Sequence, residues 1–267
     1  MKLTFIGAGA MAEALFSSFL REEIVKPVQI FITNHSNDQR LEQLQQHYGV
    51  STSRNRKEIV QNADVIFIAT LPQQAEEIAK EIAPWVKEDA VIISILAGVS
   101  IQTFEQFLPK QSIARLMPNT PAQIGLGASG IAWNDRATET QKETIHHLLA
   151  STGVVREVSE DELHTVTALS GSGPAYVYFF IEALEHAAVT NHELDRETAR
   201  ALAVQTVKGA ATMIEEMGEE PSILREKVTS PGGTTAAGLQ QMMCGGFVDM
   251  IENVIDAARM RSEELGK

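Results

Sequence analysis

"KLTFIGAGAMAEALF", residues 2–16, decides the fold. "LTFI" is a short run of aliphatic, aromatic and β-branched residues that breaks at Gly7, and from Ala10 onward the spacing of apolar positions is helical. Gly7, Gly9 and Ala12 stand in G-x-G-x-x-A spacing across this strand-turn-helix junction. Gly7 permits the tight turn, Gly9 lets main chain approach a pyrophosphate, and Ala12 keeps the helix close to the strand while its first N–H groups face the anion. The spacing alone is a weak signal. Between a strand and a helix, with further strand-helix units behind it, it reads as a dinucleotide site rather than a bare structural turn.

Outward from this junction, "VQIFIT", "DVIFIAT", "AVIISIL", "SIARLMP" and "ASGIAW" alternate with "RLEQLQQHY", "QAEEIAKEIAPWV" and "TFEQFL". Such alternation predicts a mostly parallel sheet covered on both faces. After "GVVREV" the strand signals stop, and "YVYFFIEALEHAAV", "RETARALAVQTVKGAATMIEEM" and "GFVDMIENVIDAARMRSEEL" read as helices. Asp195 and Pro221 supply helix starts and Gly218 a stop. The expected organisation is an α/β domain over residues 1–158 and an all-α domain over residues 159–267. In the last helical stretch Phe247, Ile251, Val254, Ile255, Ala258 and Leu265, joined by Met250 and Ala257, make an apolar face too wide for one partner, which predicts a homodimer through the helical half.

Composition narrows the function. A formal charge of −13 over 267 residues argues against nucleic acid or an anionic membrane, whose binding needs clustered Lys and Arg. "MKLTFIG" runs directly into the first strand without a leader pattern, and the expected compartment is the cytoplasm. The one cysteine, Cys244, forms no internal disulfide and is expected as a small packed hydrophobe. The seven His have neither H-E-x-x-H spacing nor a Cys partner, so no metal site is expected. Ser172 lies in G-S-G-P, outside any nucleophile-elbow pattern.

At the end of the second strand, where an NAD site places an Asp or Glu on the ribose hydroxyls, this chain has Thr33-Asn34-His35-Ser36. The missing carboxylate favours NADPH, with NADH as the alternative. Arg40, Arg54 and Arg56 are the nearby cations for a 2′-phosphate, each with a plain surface charge as its other reading. Ser36-x-x-Gln39 also reads as a capping box for the following helix. In the second half, "ALSGSGPAYVYFF" places Gly171, Ser172, Gly173 and Pro174 at a helix start, and "VTSPGGTT", residues 228–235, repeats the theme. A helix N-terminus with free N–H groups and hydroxyls suits a small carboxylate, so a second anion, the substrate's, is expected there.

"IGAGAMAEAL", "RLMPNTPAQIGLGASGI", "ALSGSGPAYVY", "VKGAATMIEE" and "VTSPGGTTAAGL" together resemble the pyrroline-5-carboxylate reductases over nearly the whole chain and in the family's order. The resemblance implies a Rossmann domain, a helical dimerisation domain whose dimers can build decamers, and reduction of Δ1-pyrroline-5-carboxylate to L-proline by NAD(P)H. It implies cofactor contacts from Ile6, Gly7, Gly9, Ala10, Met11, Asn34, Ser36 and Asn55, and from Ala69, Thr70, Leu71, Pro72, Ala97, Gly98 and Asn119 on the nicotinamide side. It implies substrate contacts from Gly232, Gly233, Thr234 and Thr235, with Glu160 and Ser172 beside them and Thr235 orienting the ring nitrogen. Two departures stand out. Leu71 occupies the family's usual Lys position, and the connector "VTNHELDRETA" lacks the family's Gly before Leu194. The β-hydroxyacid dehydrogenases would need a Lys one turn after the glycine-rich stretch, where Pro174 to Tyr178 has none. The alternative of another class is a non-catalytic dinucleotide-binding regulator of the same fold.

Overall fold

The computed structural model describes residues 1–192 and 194–266. Glu193, the residue that stands before Leu194 in the connector, lies outside them. The elements in chain order are β1 (Leu3–Ile6), α1 (Ala10–Arg21), β2 (Ile30–Thr33), α2 (Asp38–Tyr48), β3 (Ser51–Thr52), α3 (Arg56–Val60), β4 (Val65–Ile68), α4 (Ala75–Ile82), β5 (Val91–Ser94), α5 (Ile101–Glu105), β6 (Ser112–Met117), β7 (Gly127–Trp133), α6 (Glu139–Leu149), β8 (Gly153–Glu157), α7 (Glu162–Val166), α8 (Gly173–His192), α9 (Arg196–Met217), α10 (Pro221–Lys227), α11 (Thr234–Cys244) and α12 (Phe247–Glu264).

The strands form one sheet in the order β3-β2-β1-β4-β5-β6-β7-β8. Every pairing is parallel except β6 with β7, which is antiparallel. The near-continuous apolar strands follow from burial on both faces. Leu3, Phe5, Ile32, Phe67 and Ile93 meet Leu15, Phe16 and Phe19 of α1 on one face. Ile6, Ile66, Ile68 and Ile92 meet Ile78, Ala79 and Ile82 of α4 and Phe104 of α5 on the other. Phe5 pairs in register with Phe67, their rings stack at 4.5 Å, and Phe16 meets Phe5 edge-on at 5.6 Å. The strand order reverses between β1 and β4, so the carboxyl ends of those two strands form the open switch point of the sheet.

The chain divides into two compact units, Met1–Ser172 with Ala257–Lys267, and Gly173–Asp256. The change from strand to helix grammar near residue 159 therefore precedes the change of packing unit, and the end of α12 belongs to the first unit. There Gly98 takes a φ of +78°, and a methyl group on it would lie 2.7 Å from the Leu265 carbonyl. His164 Nδ1 and the buried Ser262 hydroxyl are 2.9 Å apart.

In the second unit α8 and α9 are held by Glu185, which accepts 2.8 Å from Arg200 Nε and pairs with Arg196. Asp195 caps α9 by accepting from the Thr198 N–H, and Gly218 ends it at φ +62°. Little of this unit's apolar surface is covered within the unit's own chain. Phe179 is 73% exposed and Met250 50%. Cys244 is exposed rather than packed, because α11 has no buried face in this chain. Among the described residues no helix is long and apolar enough to cross a membrane.

Candidate active site

The glycine loop separates two roles that share one residue type. Gly7 is buried, has a φ of +121°, and donates 2.9 Å to the Thr33 carbonyl, tying β1 to β2. A methyl group there would stand 2.1 Å from the Ala69 carbonyl oxygen. Its smallness is demanded by the protein itself. Gly9 is exposed with ordinary backbone angles, φ −75° and ψ 175°, and a methyl group on it would meet nothing within 4 Å. It is also the N-cap of α1 and offers no side chain to the first N–H groups, which leaves them for an anion. These features fit a dinucleotide pyrophosphate, and Ala12 is fully buried on the helix that follows.

At the end of β2, Asn34 folds back on its own turn. Its amide donates 2.6 Å to the Asn37 carbonyl and accepts 3.1 Å from the Asn37 N–H. Asn37, not Ser36, caps α2 by accepting 2.9 Å from the Arg40 N–H, so the expected Ser36-Gln39 capping box does not form. The Asn34 turn sets the helix start one residue later. Ser36 is left exposed beside the turn. Asn55 caps α3 by accepting from the Glu58 N–H at 3.4 Å.

The three arginines near this turn differ in their commitments. Arg40 donates 3.0 Å to the Ala8 carbonyl and pairs with Glu13, which also accepts 2.9 Å from the Tyr48 hydroxyl. Arg56 pairs with Glu81 of α4. Arg54 donates 2.6 Å to the His35 carbonyl and 2.7 Å to Asp38.

The loops after β4, β5 and β6 carry the residues expected on the nicotinamide side. After β4, Leu71 is 65% exposed and precedes a turn begun by Pro72, with Ala69 and Thr70 half-buried behind it. After β5, Ala97 is half-buried and Gly98 is covered by the Leu265–Gly266 main chain. After β6, Asn119 spends its whole amide on the fold, donating 3.0 Å to the Ser170 carbonyl and accepting 3.0 Å from the Ala128 N–H.

Glu160 accepts 2.8 Å from Arg115 and 2.7 Å from the Ile101 N–H at the start of α5. Arg115, 4% exposed on β6, was not among the expected site residues; a lone cation within the apolar run "SIARLM" was its only sequence signal. Ser172 closes a π-turn over Thr167–Gly171 by donating its N–H 2.8 Å to the Thr167 carbonyl, and such turns recur at functional sites. Both residues belong to the first unit.

Gly232, Gly233, Thr234 and Thr235 lie in the second unit. Gly232 has a φ of +70° with open space about it, and Gly233 donates 3.0 Å to the Ser230 carbonyl. Gly233 is the N-cap of α11, with no side-chain cap. Thr234 and Thr235 are exposed in the first turn beside uncapped N–H groups.

Residues 160–265 match the family model for pyrroline-5-carboxylate reductase dimerisation, and residues 2–98 the model for coenzyme F420-dependent NADP oxidoreductases. The chain is 41% identical to pyrroline-5-carboxylate reductase 2 of Bacillus subtilis over 99% of its own length and 95% of that protein's. It belongs to the pyrroline-5-carboxylate reductase family. The solved reductase of Coxiella burnetii superposes with a TM-score of 0.91 at 35% identity, covering 100% of this chain and 98% of that one. The Plasmodium falciparum reductase, solved with NADP bound, superposes at 0.89 and 30% identity over 100% of this chain and 98% of its own.

Proposed function

We propose that this chain is a pyrroline-5-carboxylate reductase, converting Δ1-pyrroline-5-carboxylate to L-proline with NAD(P)H. The observation that carries the reading is Gly9, exposed and with room for a ligand where a side chain would stand, at the uncapped start of α1 beside the sheet's switch point. The full-length similarity to named reductases gives that cradle its reaction. The reduced nicotinamide supplies a hydride, and with one proton the imine C=N becomes CH–NH.

The protein's part is to bind and orient. Main chain from Gly7 to Met11 takes the pyrophosphate. Loop 230–235 takes the substrate carboxylate on the free N–H groups of α11 and the hydroxyls of Thr234 and Thr235. Thr235 orients the ring nitrogen, which arrives protonated, so no His or Lys need act as an acid. Glu160 and Asn119 act through the loops that they hold in place. NADPH is the preferred cofactor, because residues 33–36 include no carboxylate to repel a 2′-phosphate.

We assign the working form as a homodimer through the helical unit, where Phe179 and Met250 need cover. The proposed compartment is the cytoplasm, in keeping with one cysteine and no internal disulfide. Steady-state oxidation of NADPH with pyrroline-5-carboxylate tests the reading. Turnover is expected; cofactor binding without turnover would assign the chain instead to the non-catalytic regulators.

A further inference from the structure

We propose that Arg54 is the residue that selects NADPH, by receiving the 2′-phosphate at the end of β2. The inference rests on the dinucleotide reading of the glycine loop and adds to it the source of its specificity. A 2′-phosphate needs a cation beside the turn where an NAD enzyme keeps its carboxylate. Three arginines lie near that turn, and their partners sort them.

Arg40 donates to the Ala8 carbonyl rather than to the turn and pairs with Glu13, the two side chains only 27% and 24% exposed, so that ion pair is shielded from exchange. Arg56 pairs with Glu81, and its side chain is 16% exposed. Arg54 is the one that reaches the turn. It precedes α3, and its guanidinium donates 2.6 Å to the carbonyl of His35, between Asn34 and Ser36. Its side chain is 48% exposed. The planar fork of a guanidinium matches phosphate geometry.

The second partner of Arg54 is Asp38, 69% exposed, at 2.7 Å. Exposed ion pairs are weak and exchange readily. Asp38 therefore orients the guanidinium in the free protein and competes with phosphate for it. Two opposite effects follow: loss of Arg54 removes the preference for NADPH, and loss of the Asp38 charge strengthens it.

Calorimetric titration of the full-length protein with adenosine 2′,5′-bisphosphate and with 5′-AMP isolates the 2′-phosphate from the rest of the cofactor. The native chain is expected to bind the bisphosphate more tightly. In Arg54→Met that advantage should fall by about ten- to a hundredfold, the loss expected for hydrogen bonds to a charged group, while 5′-AMP affinity stays level. Asp38→Asn should widen the advantage, and the kcat/KM ratio for NADPH over NADH should move with it in both variants. Arg54→Met that keeps the bisphosphate advantage would overturn the assignment, as would a native chain that shows none. Both of those results leave the dinucleotide site standing if NADPH itself still binds. Absence of NADPH binding to the native chain would remove that site and this proposal together.

Discussion

Gly7 and Gly9 sit two positions apart and should fail differently. Gly7→Ala forces a side chain into the Ala69 carbonyl at a positive φ, and the backbone strain alone costs about 1–3 kcal/mol, so a lowered melting temperature is expected. Gly9→Ala meets no protein atom, so melting should hold while NADPH affinity falls by about ten- to a hundredfold, the effect of a methyl group in a fitted contact. Thermal melts and cofactor titrations on both variants check the contrast. Thr235 yields a similar test. Because α11 is capped by Gly233 without any side chain, Thr235→Ala has no cap to lose, and its melting temperature should stay unchanged. Its kcat/KM for pyrroline-5-carboxylate should fall by about 1.5–3 kcal/mol, roughly ten- to a hundredfold, with NADPH affinity intact. Normal kinetics in this variant would remove Thr235 from the substrate's carboxylate and ring nitrogen.

Between α8 and α9 the carboxyl of Glu185 is held below its usual range by the hydrogen bond from Arg200, which outweighs the opposing effect of its partial burial. A depressed carboxylate stabilises the fold above its unfolded value, about 4.3, and that contribution fades as pH falls through the lower folded value. Acid melts of Glu185→Gln should therefore depend less on pH below about 4.3 than those of the native chain. The strands and helices themselves were readable from sequence because burial on both sheet faces leaves unbroken apolar runs such as "VIFI" and "VIIS". The commitments of single side chains were not. That Asn37 rather than Ser36 caps α2 depends on Asn34 folding back on its turn, and that Glu160 serves Arg115 depends on a contact between distant residues. Local spacing carries neither fact. The two-residue β3 was missed because "ST" is too short to show alternation.

The helical unit exposes Phe179 and Ile251, and the dimerisation family model covers both. Phe179→Glu or Ile251→Glu would bury an unpaired charge in a dimer interface, at a cost of several kcal/mol. Sedimentation at low protein concentration should show these variants as monomers; a persistent dimer would place the interface elsewhere. Gly98 lies against the Leu265–Gly266 main chain, more than 160 residues further along the chain. Residues 257–266 leave the ribosome after the whole sheet, yet both belong to one unit. The surface over Gly98 stays bare until the end of α12 emerges, so the first unit is begun before the helical unit and completed after it. Closing so long a loop is a late and slow event. A probe attached near Leu265 therefore reports on the unit whose strands are made first.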